Sequence, residues 1–550
     1  MVRSQQKSLT WHCLRIKAWF LVLVALSTWS ATIFAQSVSI NDELERLATR
    51  DYQQISVAIS RLSQQGGEQA FSILNLLLNG DLYLDKKKQN LVQLVEKNGS
   101  QYVIAPLFSD EASQFVSVSR RTVKKIGINN QLRGEIKKHL AVLSLSQPSP
   151  QARIKAVTAL MGELDEPTYQ RLKQVRDAEA HPGVQQSLDT ALAIYQLKTS
   201  AEPSAQRSAI DTLGASYQPE ARNALNQFLL TEPSHSFVEA TDRALHQIAQ
   251  RENIADFVET LFFGLSLGSV LVLAAIGLAI TFGVMGVINM AHGELIMLGA
   301  YTTYVVQTLM PNHIGWSIFI SIPLAFLVSA SVGVLIERSV IRFLYGRPLE
   351  TLLATFGISL ILQQMVRTIF SPLNRSVSTP DWMQGVIEIN PMLSLTLNRV
   401  YIIAFCLCVF ALLFMVLRYT RLGIEVRAVS QNRNMARAMG VKSERVDAMT
   451  FGLGSGIAGI AGVALSQLTN VGPNLGQSYI IDSFMVVVFG GVGNLWGTLV
   501  AGMSLGIANK ILEPWAGAVL AKILVLVFII LFIQKKPRGL FPQKGRSAED

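Results

Sequence analysis

The sequence has little cysteine and little charge for its length. Only three of its 550 residues are cysteine. Cys406 and Cys408 lie two residues apart in an apolar run and would point to different sides of a helix. No disulfide framework and no cysteine zinc site follow from this spacing. Charged residues make up 16% of the chain, against about 25% in typical soluble proteins, which excludes a purely soluble enzyme.

The sequence also lacks a phosphate-binding loop, because no Gly-Lys-Ser/Thr triplet occurs in it. The charge that is present is unevenly distributed. Residues 1–260 contain 54 charged residues, whereas residues 261–534 contain 25. The net charge of +10 lies mainly in loops that flank apolar runs and in the tail 535–550. A water-soluble half joined to a membrane half is predicted, and nucleic-acid binding is not indicated.

The N-terminus has the pattern of a secretory signal. Residues 3–17 carry four positive charges, residues 18–26 are apolar, and small residues precede Ala35. The apolar core is too short to cross a bilayer comfortably. We expect a signal peptide over 1–35 with cleavage after Ala35, and an uncleaved anchor is the alternative. Either one would export residues 36–256.

Residues 36–256 are predicted to form an all-helical domain. Apolar residues recur at spacings of three and four, as in Leu74, Leu77 and Leu78. A proline followed by Ala or Leu at +6 and Leu at +10 indicates helices that begin at proline and bury one face. A HEAT-like stack and an unrelated helical bundle both fit. The repeated sets are Pro150, Ala156, Leu160; Pro182, Leu188, Leu192; and Pro203, Ala209, Leu213.

The exported half shows no catalytic pattern. His139, His181, His235 and His246 are scattered without metal-ligand spacing, and 86–88 is a run of three lysines typical of a solvated surface. A binding or docking domain is therefore favoured over an enzyme for this half.

Residues 257–534 are predicted to form a polytopic membrane helix bundle of eight or nine spans. Nine apolar runs occur, and two of them are short and glycine-rich. With nine spans and an exported start, the Arg/Lys clusters at 338–347, 418–445 and 535–538 all fall on the cytoplasmic side. The tail 535–550 is then cytoplasmic. The runs are 257–283, 290–310, 314–336, 351–370, 400–417, 448–468, 479–493, 497–512 and 517–534.

Polar residues interrupt the start of the second run, in the sequence Asn-Met-Ala-His-Gly-Glu at 289–294. Ionisable residues within a membrane span are costly and indicate function. Asn289 and His292 are spaced to share a helical face. We interpret Asn289, His292 and Glu294 as a gate or path element, and a solvated helix end at Glu294 is the open alternative.

Two further segments are unusual. The stretch 419–447 is basic, polar and longer than a simple connection requires, and its small residues before Gly440 predict a short helix that ends there and docks on another protein. An ordinary positive-inside loop is the alternative. The junction 489–497 is glycine-rich at membrane depth, where irregular backbone is tolerated only when it is packed in protein or lines a cavity. Glycine pairs such as Gly452/Gly456 also predict close helix packing.

These segments carry a family resemblance over about 257–540. The motif at 289–294, after a glycine-rich first span, resembles the inner-membrane permeases of ABC importers for branched-chain amino acids. Within that family the sequence looks most like the urea-transporter permease subunit. The closer resemblance lies in the segments 349–364, 471–488 and 490–498.

The resemblance implies a multi-pass subunit of the bacterial inner membrane with residues 36–256 in the periplasm. Its implied partners are a second related permease subunit, cytoplasmic ABC ATPase subunits and a periplasmic substrate-binding protein, and it implies no cofactor, no metal site and no enzymatic activity in this chain. The segment 419–447 corresponds to the ATPase-docking region but departs from the Glu-Ala-Ala consensus of other importers. The docking candidates are Glu425, Arg427, Arg433, Arg437 and Gly440.

Urea is the first substrate that we expect. It is neutral and planar, so amide, hydroxyl and backbone groups suit it better than buried charge pairs. The alternatives are branched-chain amino acid import and an autonomous urea channel. A proton-driven secondary carrier is disfavoured by the long 419–447 segment and by the scarcity of acid–base pairs within the apolar runs. The candidate substrate-path residues are Asn289, His292, Glu294, Gln363 and Asn494.

Overall fold

A computed structural model describes residues 40–541 except 50, 89, 100, 108–114, 163 and 232–233. The signal peptide predicted over 1–35 and the end of the tail lie outside the described residues. The chain divides into two compact units, Met1–Ile248 and Ala249–Asp550.

Nine helices and a five-stranded sheet lie wholly within the described residues of the first unit. The helices α5, α7, α8 and α9 each begin at a proline in the first turn, where the missing N–H costs nothing. The elements are α1 (Ile40–Leu47), α2 (Tyr52–Gln65), α3 (Gly67–Asn79), β1 (Leu82–Asp85), β2 (Asn90–Asn98), β3 (Gln101–Pro106), β4 (Val116–Ser119), β5 (Val123–Lys125), α4 (Asn130–Ser144), α5 (Pro150–Leu160), α6 (Glu166–Ala178), α7 (Pro182–Thr199), α8 (Pro203–Ala215) and α9 (Pro219–Leu229).

The all-helical prediction for this half is wrong between residues 82 and 125. There the chain forms an antiparallel sheet with the strand order β4-β3-β2-β1-β5. One face of the sheet packs Leu82 and Leu91 against the first helices, and the other face buries Tyr83 and Val92. The helical spacing at 74–78 ends at Gly80, which adopts a left-handed conformation with φ 78. Alternating β-branched residues such as Val116 and Val118, and the turn-forming Gly99, were the missed signals.

The proline pattern correctly located three helices of the second part of this unit. The +6 and +10 residues lie on the packed face, and Leu160, Leu188 and Leu213 are fully buried or nearly so. Helix α7 packs against α5, α6, α8 and α9. A central helix of this kind suits a compact bundle, and the HEAT-like assignment stays a prediction.

An ion pair holds the turn before α7. Glu179 accepts hydrogen bonds from Arg153 Nε at 2.8 Å and Nη2 at 3.0 Å, and from the backbone N–H of His181 at 2.9 Å. Its carboxylate is 7% exposed. The Arg153 hydrogen bond, followed by that of His181, holds the pKa of Glu179 below its usual value.

We expect acid to destabilise this unit through Glu179. A carboxyl group whose pKa is lower in the folded than in the unfolded state stabilises the fold at pH values above its unfolded-state pKa. This contribution is lost as the pH falls through the folded-state pKa. Glu179→Gln should cost about 2 kcal/mol at neutral pH and flatten the pH dependence below pH ~4.3. Temperature-dependent proteolysis of the full chain around residues 150–200 measures this. Glu202→Gln, at an exposed helix start, is the control, and an unchanged acid sensitivity in Glu179→Gln would contradict the assignment.

The second unit is built of long apolar helices. Six helices of the described chain are long and apolar enough to cross a membrane. Each of the nine predicted apolar runs falls on a helix. The last two, 497–512 and 517–534, share α19, which contains a break at Gly517 with φ 76. The elements are α10 (His235–Met285), α11 (His292–Leu309), α12 (Ile314–Ser339), α13 (Pro348–Phe370), β6 (Val386–Asn390), β7 (Leu393–Thr396), α14 (Leu397–Tyr419), α15 (Arg421–Gln431), α16 (Arg433–Ala438), α17 (Ser443–Ser466), α18 (Leu475–Gly490) and α19 (Leu495–Lys535).

Helix α17 lies at the centre of this unit, between α11 and α12. Its small residues bring the backbones close together. A Cβ at Gly459 would lie 2.5 Å from the carbonyl oxygen of Ala325 on α12, and a Cβ at Gly299 on α11 would overlap the carbonyl of Gly459. A Cβ at Gly454 would likewise lie 2.6 Å from the carbonyl oxygen of Gly277 on α10. The predicted close packing through glycine is confirmed, and it fixes α11 against the bundle.

Gly459→Ala should therefore prevent normal folding. The added methyl group cannot fit without moving α12, and such overpacking costs about 1–3 kcal/mol or more. The matched control is Gly357→Ala on α13, where an added Cβ meets nothing within 4 Å. Size-exclusion chromatography of detergent extracts should show a loss of monodisperse protein for Gly459→Ala only. Equal yields of the two variants would contradict the packing.

Candidate functional site

A buried carboxylate lies in the first turn of α11. Helix α10 ends before Gly286, with φ 64, and Asn289 Oδ1 accepts from the Ala291 N–H at 3.0 Å in a turn that leads into α11. Glu294 is 1% exposed. Its Oε1 accepts hydrogen bonds from Gln363 Nε2 at 2.6 Å and from Ser359 Oγ at 3.0 Å. The carboxylate thus joins α11 to α13.

The partners of Glu294 belong to a polar row along the buried face of α13. The row repeats every four residues, so its members lie on successive turns of one side of the helix. Arg367 continues the row, and its Nη2 donates to Asn474 Oδ1 at 2.8 Å. The opposite face is apolar and exposed, as expected for lipid contact. The buried members are Thr351, Thr355, Ser359 and Gln363.

His292 lies on a different side of α11 from Glu294. Residues two apart on a helix differ by about 200°, and the His292 Nε2 contacts the Ala274 carbonyl oxygen of α10 at 2.9 Å. The structure therefore separates two residues that the sequence grouped as one path element. Asn289 forms the turn before α11 and does not contact Glu294 in the described structure.

Four buried polar atoms of this region have no hydrogen-bond partner within the described chain. Buried polar atoms are nearly always hydrogen-bonded, so a cluster of four without partners is unusual. Glu294 Oε2 is the one that adjoins the polar row. The atoms are Asn289 Nδ2, His292 Nδ1, Glu294 Oε2 and Tyr301 Oη.

Asn494 lies apart from this centre. Its Oδ1 accepts from the Gly497 N–H at 3.1 Å and caps α19, while its Nδ2 donates to the Phe541 carbonyl at 3.3 Å. Gln363 is thus the one predicted path residue that contacts Glu294 directly, and the capping contacts of Asn494 give it a role in the α18–α19 turn.

The segment between α14 and α17 forms two short helices, and Gly440 ends the second as predicted. Gly440 has φ 87, its N–H bonds to the Arg437 carbonyl, and the Val441 N–H bonds to the Ala436 carbonyl, each at 3.0 Å. This pair of bonds is the Schellman motif, which satisfies the last carbonyls of a helix. Val426, Val429 and Ala436 form a small apolar core below the two helices.

The charged side chains of this segment bind within the chain. Arg433 forms an ion pair with Asp447 of α17 and stacks 3.9 Å from the ring centroid of Tyr345. Arg437 Nε donates to Ser443 Oγ at 2.6 Å. Arg421 Nε lies 3.2 Å from Glu425 Oε1, and Arg427 Nη1 donates to the Leu417 carbonyl oxygen at 2.5 Å.

Three apolar side chains of the same segment are exposed instead. Ile424 and Met435 are each 61% exposed, and Met439 is 78% exposed. Exposed Met and Ile side chains are typical of surfaces that bind other proteins. We call these three residues the apolar docking surface.

Comparison with known proteins gives the identity of the second half. Residues 260–533 match the family model described as branched-chain amino acid transport system / permease component. The high-affinity branched-chain amino acid transport system permease protein LivH of Escherichia coli K12 is 30% identical over 303 residues, which are 52% of this chain and 96% of LivH. The chain belongs to this permease family. It is an integral membrane protein.

Other relatives of the permease differ in the substrate that their names give. BraD of Pseudomonas aeruginosa, a branched-chain amino acid permease, is 28% identical over 52% of this chain and 96% of BraD. The ribose import permease RbsC of Escherichia coli K12 is 25% identical over 51% of this chain and 87% of RbsC. No solved structure matches the chain. These matches cover the membrane half.

Two parts of this buried polar region were not predicted from the sequence. The polar row on α13 could have been found from its four-residue repeat within an apolar helix. The pairing of Asp447 with Arg433 could not be predicted from local sequence, because the two residues are 14 positions apart and lie on different helices. No group of three metal-ligating side chains occurs among the described residues.

Proposed function

We propose that the chain is the permease subunit of an ATP-driven importer in the bacterial inner membrane. Membership in the permease family supports this, together with the buried polar row that runs beside Glu294. The proposal includes a second related permease subunit, cytoplasmic ATPase subunits and a periplasmic substrate-binding protein. It also places residues 36–256 in the periplasm after removal of 1–35, and 257–534 in the membrane.

Branched-chain amino acids are the substrates that we propose first. This reverses the order expected from the sequence, because relatives named for these substrates are similar over nearly their whole length. The chemistry also fits. Glu294 offers a carboxylate for the ammonium group of a zwitterion, and Arg367, one turn beyond Gln363, offers a guanidinium for its carboxylate. This arrangement is not evident in a short window of the sequence, because the two charged residues are 73 positions apart.

Urea is the second candidate substrate. The Ser359 hydroxyl and the Gln363 amide beside Glu294 are groups that a neutral amide would use. The segments 349–364, 471–488 and 490–498 resemble urea permeases and support the same alternative.

Uptake of labelled leucine and labelled urea, in cells with and without this gene, tests the proposal. Each measurement is repeated with ATP hydrolysis blocked. Uptake of leucine that requires both the gene and ATP is expected. Urea uptake with the same two requirements would keep the mechanism and change the substrate. Gene-dependent uptake that survives the loss of ATP would reject an ATP-driven importer and indicate a channel.

The apolar docking surface is the proposed contact with the ATPase. In this proposal the four charged candidates position the segment, and Ile424, Met435 and Met439 meet the partner. Met435→Glu with Met439→Glu should reduce co-purification of the ATPase about tenfold or more, since charges placed in an apolar interface stay unpaired. Glu444→Gln with Arg445→Gln, at exposed positions of the next helix, is the control. Undiminished co-purification with the double Glu variant would contradict this contact.

A further inference from the structure

A cavity of about 370 Å³ opens where α10 and α14 end and α19 begins. Its walls are apolar on the side of the helices, including Ile280, Phe414 and Leu495. Its other side is lined by α15, which lies beyond the last turn of α14. The cavity thus has an apolar part within the bundle and a polar part at the helix ends.

The polar part is positively charged. Arg418 and Arg427 both line the cavity, together with Ser430, and its lining contains no acidic residue. Within the described chain neither arginine forms a salt bridge. Arg418 rests against the rings of Phe414 and Tyr419 at 5.5 and 5.7 Å. Arg427 uses one N–H on the Leu417 carbonyl, which leaves its other donors for an anion.

Trp496 completes the site. It lines the same cavity, is 54% exposed, and packs edge to face on Phe410 at 5.1 Å and Phe414 at 5.8 Å. Tryptophan is typical of the level at which lipid headgroups meet the hydrocarbon. The orientation expected from the positive clusters puts these helix ends on the cytoplasmic side, where anionic lipids attract basic residues.

We propose that this cavity binds one anionic phospholipid, with the phosphate on Arg418 and Arg427 and the first part of an acyl chain against Ile280 and Phe414. A basic mouth above apolar walls matches the charge and polarity of such a lipid. A free phosphate would use the arginines and leave the apolar part unmatched. The occupied site would tie α14 and α15 to α10 and so stabilise the start of the cytoplasmic segment.

Fluorescence quenching of Trp496 tests the proposal on the full chain. The protein is placed in nanodiscs of phosphatidylcholine that contain a minor fraction of brominated phosphatidylglycerol or, separately, brominated phosphatidylcholine. The part of the quenching that disappears in Trp496→Phe reports the site. We expect brominated phosphatidylglycerol to be preferred roughly tenfold, from the attraction of two arginines.

Arg418→Gln with Arg427→Gln should abolish this preference. Arg421→Gln with Arg445→Gln removes the same charge from positions that do not line the cavity and should keep it. Arg418→Lys with Arg427→Lys should also keep it, which separates loss of charge from misfolding. No phosphatidylglycerol preference in the unaltered protein, or an equal preference in the double Gln variant, would overturn the proposal. Release of the lipid by inorganic phosphate alone would overturn it in favour of a free-anion site.

Discussion

Glu294→Gln is expected to reduce leucine uptake about tenfold or more at normal membrane abundance. Glutamine keeps the size of the side chain and an oxygen that accepts from Ser359 and Gln363, so the contact between α11 and α13 survives. The negative charge at Oε2 is lost, and a hydrogen bond to a charged group contributes about 1.5–3 kcal/mol. Each 1.36 kcal/mol corresponds to about a factor of ten in rate.

The matched control is Glu350→Gln. Glu350 lies near the start of α13 and pairs with Arg347 on the exposed surface. It should transport normally. Leucine uptake, membrane abundance by immunoblot and binding-protein-dependent ATPase activity are measured together. Unchanged uptake in Glu294→Gln would remove Glu294 from the substrate path. If urea is the substrate, Glu294→Gln should retain more uptake than Glu294→Ala, because an amide still accepts from N–H groups.

Breaking the Arg433–Asp447 pair is expected to uncouple transport from ATP hydrolysis. Asp447 is buried at 5% side-chain exposure and Arg433 at 19%, and the pair fixes α16 to the central helix α17. Removing one partner of a buried ion pair costs about 3–5 kcal/mol. In Arg433→Gln we expect uptake to fall about tenfold or more while ATPase activity no longer responds to substrate.

Arg433→Lys should restore part of the function, since lysine keeps the charge and loses the planar stacking on Tyr345. Arg445→Gln removes an exposed arginine of the same segment 419–447 and is the control. A double-mutant cycle with Asp447→Asn separates the pair from general destabilisation, because the second change should add little once the first is made. Normal coupling in Arg433→Gln would show that α16 is held by other contacts.

His292 and Glu294 belong to one short motif but contact different helices. The motif at 289–294 marks a buried polar centre, but residues two apart on a helix point to different sides. His292 contacts Ala274 on α10, whereas Glu294 contacts Gln363 on α13. A short motif therefore identifies a place in the chain and not a set of converging groups. The same holds for the segment 419–447, whose candidate docking arginines bind Asp447, Ser443 and the Leu417 carbonyl within the chain. Their contact with a partner stays a prediction.

Four features follow from the amino-acid sequence alone: the membrane half, its nine apolar runs, the helices that begin at proline and the end of α16 at Gly440. These features depend on local composition, on a fixed φ or on a repeat along one helix, and all of these can be read within a short window. The tertiary structure alone decided which polar groups meet. Glu294 and Ser359 form a hydrogen bond although they are 65 residues apart. Arg433 pairs with Asp447 because α16 packs back against α17. The sheet at 82–125 depended likewise on pairing between strands, since each strand is stable only with its neighbours.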